Sequence, residues 1–571
     1  MRTNRLTQNG FLLAGFALVA NCASLRAGPP EELLRLAPEK SAFCLIVRDL
    51  RAHSAELEAG PWLQAFRQSR LGVTLAASPE ATKLREVAGQ VAQQLHMELL
   101  QIRDEVFGDA IVFAYENGPP GHPEQENGVL LTWARDPKVA AQFIERVNEA
   151  QKASGELKEL ISLSHRSRDF YRRVKSKGPD DYCFLHGSIL AFSQQESAIR
   201  RAIDRDLDAA LAADVPPQIT KQLAKLKSDG ALATLLVNPR SFDAELAHKL
   251  EAAKGNDAAF LRNFQNCWSA IESLGLTGRI NKNLTVEFTA FVQKDALPPG
   301  MQRLIAVGAP PSDLTGRFPA DCIATVVGRI DPGALVEAVG EFMTPDARQA
   351  MQQSLDQSLA PVFGKNGLPQ VAKQIGPEWG ICLSPPGAKS AVPRLLLALR
   401  VRPEGNAEQA LLDALDVVST FVRAGYNANH PEPIRVKKTV LDKVEVKYLE
   451  CDSGFPPGFQ PAYAVKHGYL LVASSPDAIA QFGNRGESSA SMPSVYLSFR
   501  QLDRFLSEHG AELVRLASSG NKIDKADATH LIEQIQMGID LLDRLEIHSG
   551  SAETGRSSVS LRLHFTKPLK K

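Results

Sequence analysis

Residues 38–48, PEKSAFCLIVR, and residues 319–329, PADCIATVVGR, carry one pattern twice: proline, polar residues, an apolar run, then arginine. A second landmark recurs downstream, YCFLHGSILAFS at 182–193 and YAVKHGYLLVAS at 463–474, sharing the aromatic start, the His-Gly pair and the closing serine. Both pairs of landmarks are separated by 281 residues. Two distant landmarks with one spacing are the mark of an internal repeat, and they restrict the chain to an architecture that can be built twice. The expected organisation is a leader over 1–27, a first domain over 28–310 and a second over 311–571.

Each half reads as one ordered set of strands and helices. In the first, Ala42–Val47 is an apolar strand, and Asp109–Tyr115 and Val129–Trp133 form a hairpin around the loop GPPGHPEQENG. Such a loop joins antiparallel neighbours. Val139, Phe143, Ile144 and Val147 fall on one face of a helix that opens at Asp136-Pro137,. The second half repeats the plan, with GICLSPPGAKSAVPRLLLALRV as hairpin, AEQALLDALDVVSTFV as helix and SVSLRLHF as closing strand. The expected fold class is α+β, a largely antiparallel sheet packed with helices in each of two tandem homologous domains. Asp136-Pro137, Asn238-Pro239, Asp331-Pro332 and Ser475-Pro476 each set a capping side chain before a proline where a strand should give way to a helix,. His186-Gly187 and His467-Gly468 each lie between two apolar runs and read as the central pair of a two-residue turn,.

The first 27 residues place Arg2 and Arg5 ahead of an apolar run from Phe11 to Ala20, the pattern of a secretory leader,. Ten apolar residues are short of the ~20 that a membrane-spanning helix needs. Cys22 offers the alternative of a lipid-anchored cysteine, although Asn21 stands where a small residue is wanted,. Export is therefore the expected localisation. Of 65 basic residues the leader takes Arg2, Arg5 and Arg26, leaving 62 against 65 acidic ones and a net charge of about −3. A mildly acidic chain without a basic stripe excludes the electrostatic footprint of a nucleic-acid binder. The only basic cluster is the tail Lys567, Lys570 and Lys571.

Catalytic and metal patterns are thin. Cys44, Cys183, Cys267, Cys322, Cys382 and Cys451 form no CxxC pair, and no two of the twelve histidines stand at i, i+4,. No cofactor or metal is called for, and no catalytic residue is assigned. Ser519-Gly-Asn-Lys522 fits SxxK, a four-letter pattern with two free positions,. One constellation points to binding. Arg48, Arg240, Arg329 and Arg500 each close an apolar strand just before a helix, as two repeated pairs. Were those strand ends to converge, their guanidinium groups would make forked hydrogen bonds to a small anionic ligand. Packing alone accounts for them too, because an arginine stem covers the edge of a core.

The cassettes PEKSAFCLIVRDL, FGDAIVFAY with GVLLTWARDPKVAAQFIERV, HGSILAFSQQESAIRRAID and ALATLLVNPRSF together resemble a family of exported bacterial proteins catalogued only as a domain of unknown function. The resemblance covers nearly all of the chain after the leader, once per half. The second half departs from it at Gly376-Pro377-Glu378-Trp379, where the first has Gly108-Asp109-Ala110. It implies export and architecture, and no activity. The leading expectation is thus a non-enzymatic extracytoplasmic binding or assembly protein with an envelope partner. The alternatives are a hydrolase or transferase with an inter-domain site, and a periplasmic binder of small anionic ligands.

Overall fold

The computed structural model describes residues 30–208, 216–226, 228–281, 283–308, 312, 314–363, 372–387, 390, 392–452, 454–483, 493–518, 524–551 and 555–566. The leader with Cys22, the Ser519–Lys522 segment and the three tail lysines lie outside the described residues. The chain divides into two compact units, one of residues 1–249, 271–292 and 565–571, the other of 250–270 and 293–564. The fold is α+β.

The first unit contains β1 (Phe43–Arg48), β2 (Ala110–Glu116), β3 (Asn127–Trp133), β4 (Leu157–His165), β5 (Arg168–Lys175), β6 (Asp181–His186), β7 (Ile189–Ser193), β8 (Ala233–Val237), β9 (Ile271–Ile280) and β10 (Asn283–Val292). Antiparallel pairing sets them in the order β4-β5-β6-β7-β3-β2-β1-β8-β9-β10. The second unit contains β11 (Ala324–Arg329), β12 (Ile375–Ser384), β13 (Arg394–Val401), β14 (Arg435–Leu441), β15 (Val444–Glu450), β16 (Ala462–Lys466), β17 (Tyr469–Ala473), β18 (Val495–Ser498) and β19 (Leu542–Ser551), with β20 (Arg556–Phe565) following β19. Its order is β14-β15-β16-β17-β13-β12-β11-β18-β19-β20. Strand for strand, the neighbours in one unit are those in the other.

Burial explains the elements. In the first unit Cys44 and Ile46 of β1 point into one core with Val112, Leu131 and Leu236, as alternation along a strand requires,. Helix Glu196–Leu207 covers that face with Ala198, Ile199, Ala202 and Ile203, all fully or nearly buried. Full burial of each isoleucine contributes about 1.5–3 kcal/mol. The opposite face takes helix Pro137–Ala153, whose Ile144 is buried on Cys183 and Leu190 with Val139 and Phe143 beside it. In the second unit Phe318, Cys382, Val446, Leu471 and Phe482 build the corresponding core. Helix Ala407–Asn427 lays Ala407 and Leu411 on Val401 and Leu470 of the other face.

The caps follow the dipeptides in three places. The Asp136 carboxylate accepts from Lys138 N at 2.8 Å, Asn238 Oδ1 from Arg240 N at 3.2 Å and Asp331 Oδ1 from Ala334 N at 3.0 Å. Ser475 differs: it precedes the short helix Pro476–Ala480, but its hydroxyl makes no capping bond. The two His-Gly turns also differ from one another. His467 and Gly468, with φ of 52° and 74°, form the turn between Lys466 and its partner Tyr469. His186 instead ends β6 opposite Ile189, so Gly187-Ser188 makes the turn, and of that pair only Gly187 has positive φ, 56°. Glycine at the first central position supplies the geometry of a turn that needs positive φ only there, which draws the hairpin one residue along.

Candidate functional site

Antiparallel pairing decides where the four arginines go. β1 runs against β8, with Phe43 opposite Val237, so Arg48 leaves one end of the pair and Arg240, which follows β8, lies beyond the other. β11 and β18 repeat this, with Ala324 opposite Leu497, and separate Arg329 from Arg500 in the same way. Within a unit the two arginines therefore do not converge. Each is also engaged locally. Arg48 pairs with Glu31 at 3.0 Å, Arg240 with Asp243 at 3.1 Å and Arg500 with Asp543 at 2.7 Å, while Arg329 Nε donates to the Val307 carbonyl at 3.2 Å.

A buried polar centre distinguishes the second unit. Glu378 stands opposite Arg329 on β12, where the first unit has Ala110 opposite Arg48. Its Oε1 accepts from Leu314 N at 3.3 Å and from the Ser312 hydroxyl, and its Oε2 accepts from the Tyr469 hydroxyl at 2.5 Å. Tyr469 is fully buried, and the guanidinium carbons of Arg400 and Arg317 lie 4.9 and 5.6 Å from its ring centre. Burial, then the bond to Glu378, pushes the phenol up to about 12, with Arg400 working in the opposite direction. A buried carboxylate is tolerated when donors and cations surround it. Here the donors tie Ser312 and Leu314 to β12.

In the first unit Asp109, one residue before Ala110, forms a buried pair with Arg51, 2.7 Å apart. Burial raises the Asp109 carboxyl above its ordinary value, opposed by Arg51 and Arg135. Asp49, next to this pair, has φ of 46°, in the left-handed region that non-glycine residues seldom enter,.

An open cavity of about 810 Å³ lies in the second unit. Its wall is helix Gly255–Ser269, which turns Ala259, Arg262, Asn263 and Asn266 toward it at helical spacing,. The Leu297–Pro299 segment and the stretch from Glu341 through Thr344 to Arg348 complete it. Glu341 Oε1 accepts from Gly300 N at 2.7 Å, whereas its Oε2 is buried with no hydrogen-bond partner. Arg348 Nε donates to the Gly340 carbonyl at 2.9 Å. Among the described residues neither Arg262 nor Arg348 has an acidic partner, so two cations and one under-satisfied carboxylate share the cavity. That set can orient a small molecule carrying both charges. No group of three metal-ligating side chains occurs among the described residues.

Sequence reasoning did not find Arg262, Glu341 or Arg348. They sit on separate elements in stretches without a motif, and the one local signal is the polar face Arg262, Asn263 and Asn266 on an otherwise aromatic helix. Compared with known proteins, the chain matches no family model, no curated protein and no solved structure.

Proposed function

We propose that this is an exported, non-enzymatic binding protein whose second unit holds a small zwitterion, of the amino-acid or short-peptide class, in the cavity along helix Gly255–Ser269. The leader pattern supports export. One observation carries the ligand class: Glu341, whose Oε2 is unpaired, lines one cavity together with Arg262 and Arg348. A buried acceptor without a donor costs about 1–3 kcal/mol, and a turn of the Glu341 carboxyl that brings Oε2 to the cavity would let a ligand ammonium group remove that cost while the ligand carboxylate takes the arginines. The shared strand order of the two units supports descent from one duplicated unit, with binding retained where the polar residues lie.

Thermal unfolding of the full chain against free amino acids and dipeptides tests this reading. A ligand present at 100 times its Kd stabilises by about 2.7 kcal/mol. The expected result is a rise in Tm with at least one zwitterion, lost in Arg262→Ala/Arg348→Ala and reduced in Glu341→Gln. Absence of any shift across the panel at millimolar ligand would sink it.

A further inference from the structure

A second cavity, of about 490 Å³, lies in the second unit where the start of β13, the end of β14 and the segment after β17 meet. Strand register brings its wall together. Leu396 stands opposite Ala473. Beyond that pair Ser474 N donates to the Leu395 carbonyl at 2.9 Å and Leu395 N donates to Ser474 Oγ at 2.9 Å, which sets Arg394 beside Ser475. On the β14–β15 hairpin Lys437 is opposite Tyr448, so Thr439, Leu441 and Tyr448 share one face,. Gln460 is held to the rim by its backbone amide, which donates to the Ser474 carbonyl at 2.8 Å. Gly458 closes the rim: its φ is 83°, and a Cβ there would collide with Ser390, whose hydroxyl donates to the Pro457 carbonyl at 2.9 Å,.

The wall carries polar groups that the fold does not use. Arg394 Nε donates to the Pro385 carbonyl at 2.8 Å, but its two Nη groups have no hydrogen-bond partner among the described residues. The same holds for the Thr439 and Tyr448 hydroxyls, Gln460 Oε1 and the exposed Asp477 carboxylate. Ser475 is 7% exposed with its Oγ buried and unpaired, and a turn about its Cα–Cβ bond would bring that hydroxyl to the cavity. Among the described residues of the wall Arg394 and Asp477 are the only charges, and they cancel. A zwitterion would satisfy those two and leave the hydroxyls and the amide unmatched. A saccharide hydroxyl both donates and accepts, and two on adjacent ring carbons match the fork of a guanidinium or the paired oxygens of a carboxylate. Leu441 and the ring of Tyr448 offer apolar surface to the C–H face of a pyranose,. We infer that this cavity is a second binding site, for a neutral mono- or disaccharide, independent of the zwitterion site along helix Gly255–Ser269.

Isothermal titration calorimetry of the full chain with glucose, galactose, mannose, N-acetylglucosamine, maltose and cellobiose tests the inference. Retention on chitin and cross-linked dextran beads is a parallel arm, for the ends of glycan chains. The expected result is saturable binding of at least one neutral sugar at millimolar concentration. Asp477→Ala should raise its Kd about ten-fold or more, as loss of a hydrogen bond to a charged group does, and Thr439→Val should raise it by less. Both variants should keep the wild-type Tm, because neither side chain has a hydrogen-bond partner among the described residues to lose. Binding of free sugars assigns a soluble ligand; retention on the beads alone, lost in Asp477→Ala, assigns the same site to a chain end. Silence in both arms overturns the inference, and so does sugar binding that is unchanged in both variants. Displacement of the bound sugar by free glycine or glutamate, or tighter binding of galacturonate than of galactose, overturns the neutral class.

Discussion

Tyr469 and Glu378 show how a single polar contact can govern a core. The phenol donates to a buried carboxylate whose other oxygen already accepts from the Leu314 amide, so removing the hydroxyl takes away one donor and leaves the charge in place. Tyr469→Phe should therefore destabilise by about 1–3 kcal/mol, the cost of a buried, under-satisfied acceptor. In Glu378→Gln the same Tyr469→Phe change should cost less, because the partner no longer carries a charge; a double-mutant cycle by urea denaturation measures the coupling. Glu546 offers a test in pH. Burial works to raise its carboxyl, but Arg544, His548 and His564, with nitrogens 2.8, 3.4 and 3.0 Å from its oxygens, together hold it below its ordinary value of 4.5. A lowered folded-state value gives stability that is fully present above the ordinary value and is lost as pH falls through the folded one. The wild-type advantage over Glu546→Gln should accordingly shrink between about pH 6 and about pH 3, as followed by chemical denaturation. A constant difference across that range would remove Glu546 from the acid response.

At the scale of elements, proline dipeptides were a sound guide because capping is local chemistry. Asp136 and Asp331 both cap, yet they are not equivalent: Asp331 Oδ2 also accepts from Arg402 at 2.6 Å, which joins the start of helix Pro332–Glu341 to the end of β13. Asp136→Ala should cost about 1 kcal/mol, as loss of a cap does, and Asp331→Ala more, with the surplus absent in an Arg402→Ala background. Thermal denaturation of the three single variants and of the Asp331→Ala/Arg402→Ala double variant checks this. Repeated strand cassettes and the α+β class were legible for the same local reason. What the cassettes could not carry was register. The His186 hairpin turns at Gly187-Ser188, one residue beyond the place where His467-Gly468 turns, although the letters match. The placement of the arginines was no more legible, since the end of a strand says nothing about the direction of its neighbour, and antiparallel pairing sends Arg48 and Arg240 to opposite ends of the β1–β8 pair.

Across the whole molecule the repeated strand order contrasts with an unequal distribution of chemistry. Ala110 occupies in the first unit the sheet position that Glu378 occupies in the second. The cavity residues Arg262, Glu341 and Arg348 likewise belong to the second unit alone, assembled from stretches far apart in sequence, which is why no motif disclosed them. Two similar scaffolds of which one carries the site should answer a ligand unequally. Binding protects amides by the free energy that it adds to the elements it holds closed. With the zwitterion that raises Tm at saturation, hydrogen exchange should slow in helix Gly255–Ser269, at Gly300, whose amide bonds to Glu341, and from Glu341 to Arg348. Exchange in β1–β3 should stay as it is without ligand, because those strands line no part of the cavity. Equal slowing in β1–β3 and in the cavity helix would mean that the molecule responds as one cooperative body, and the assignment of binding to the second unit alone would then fall.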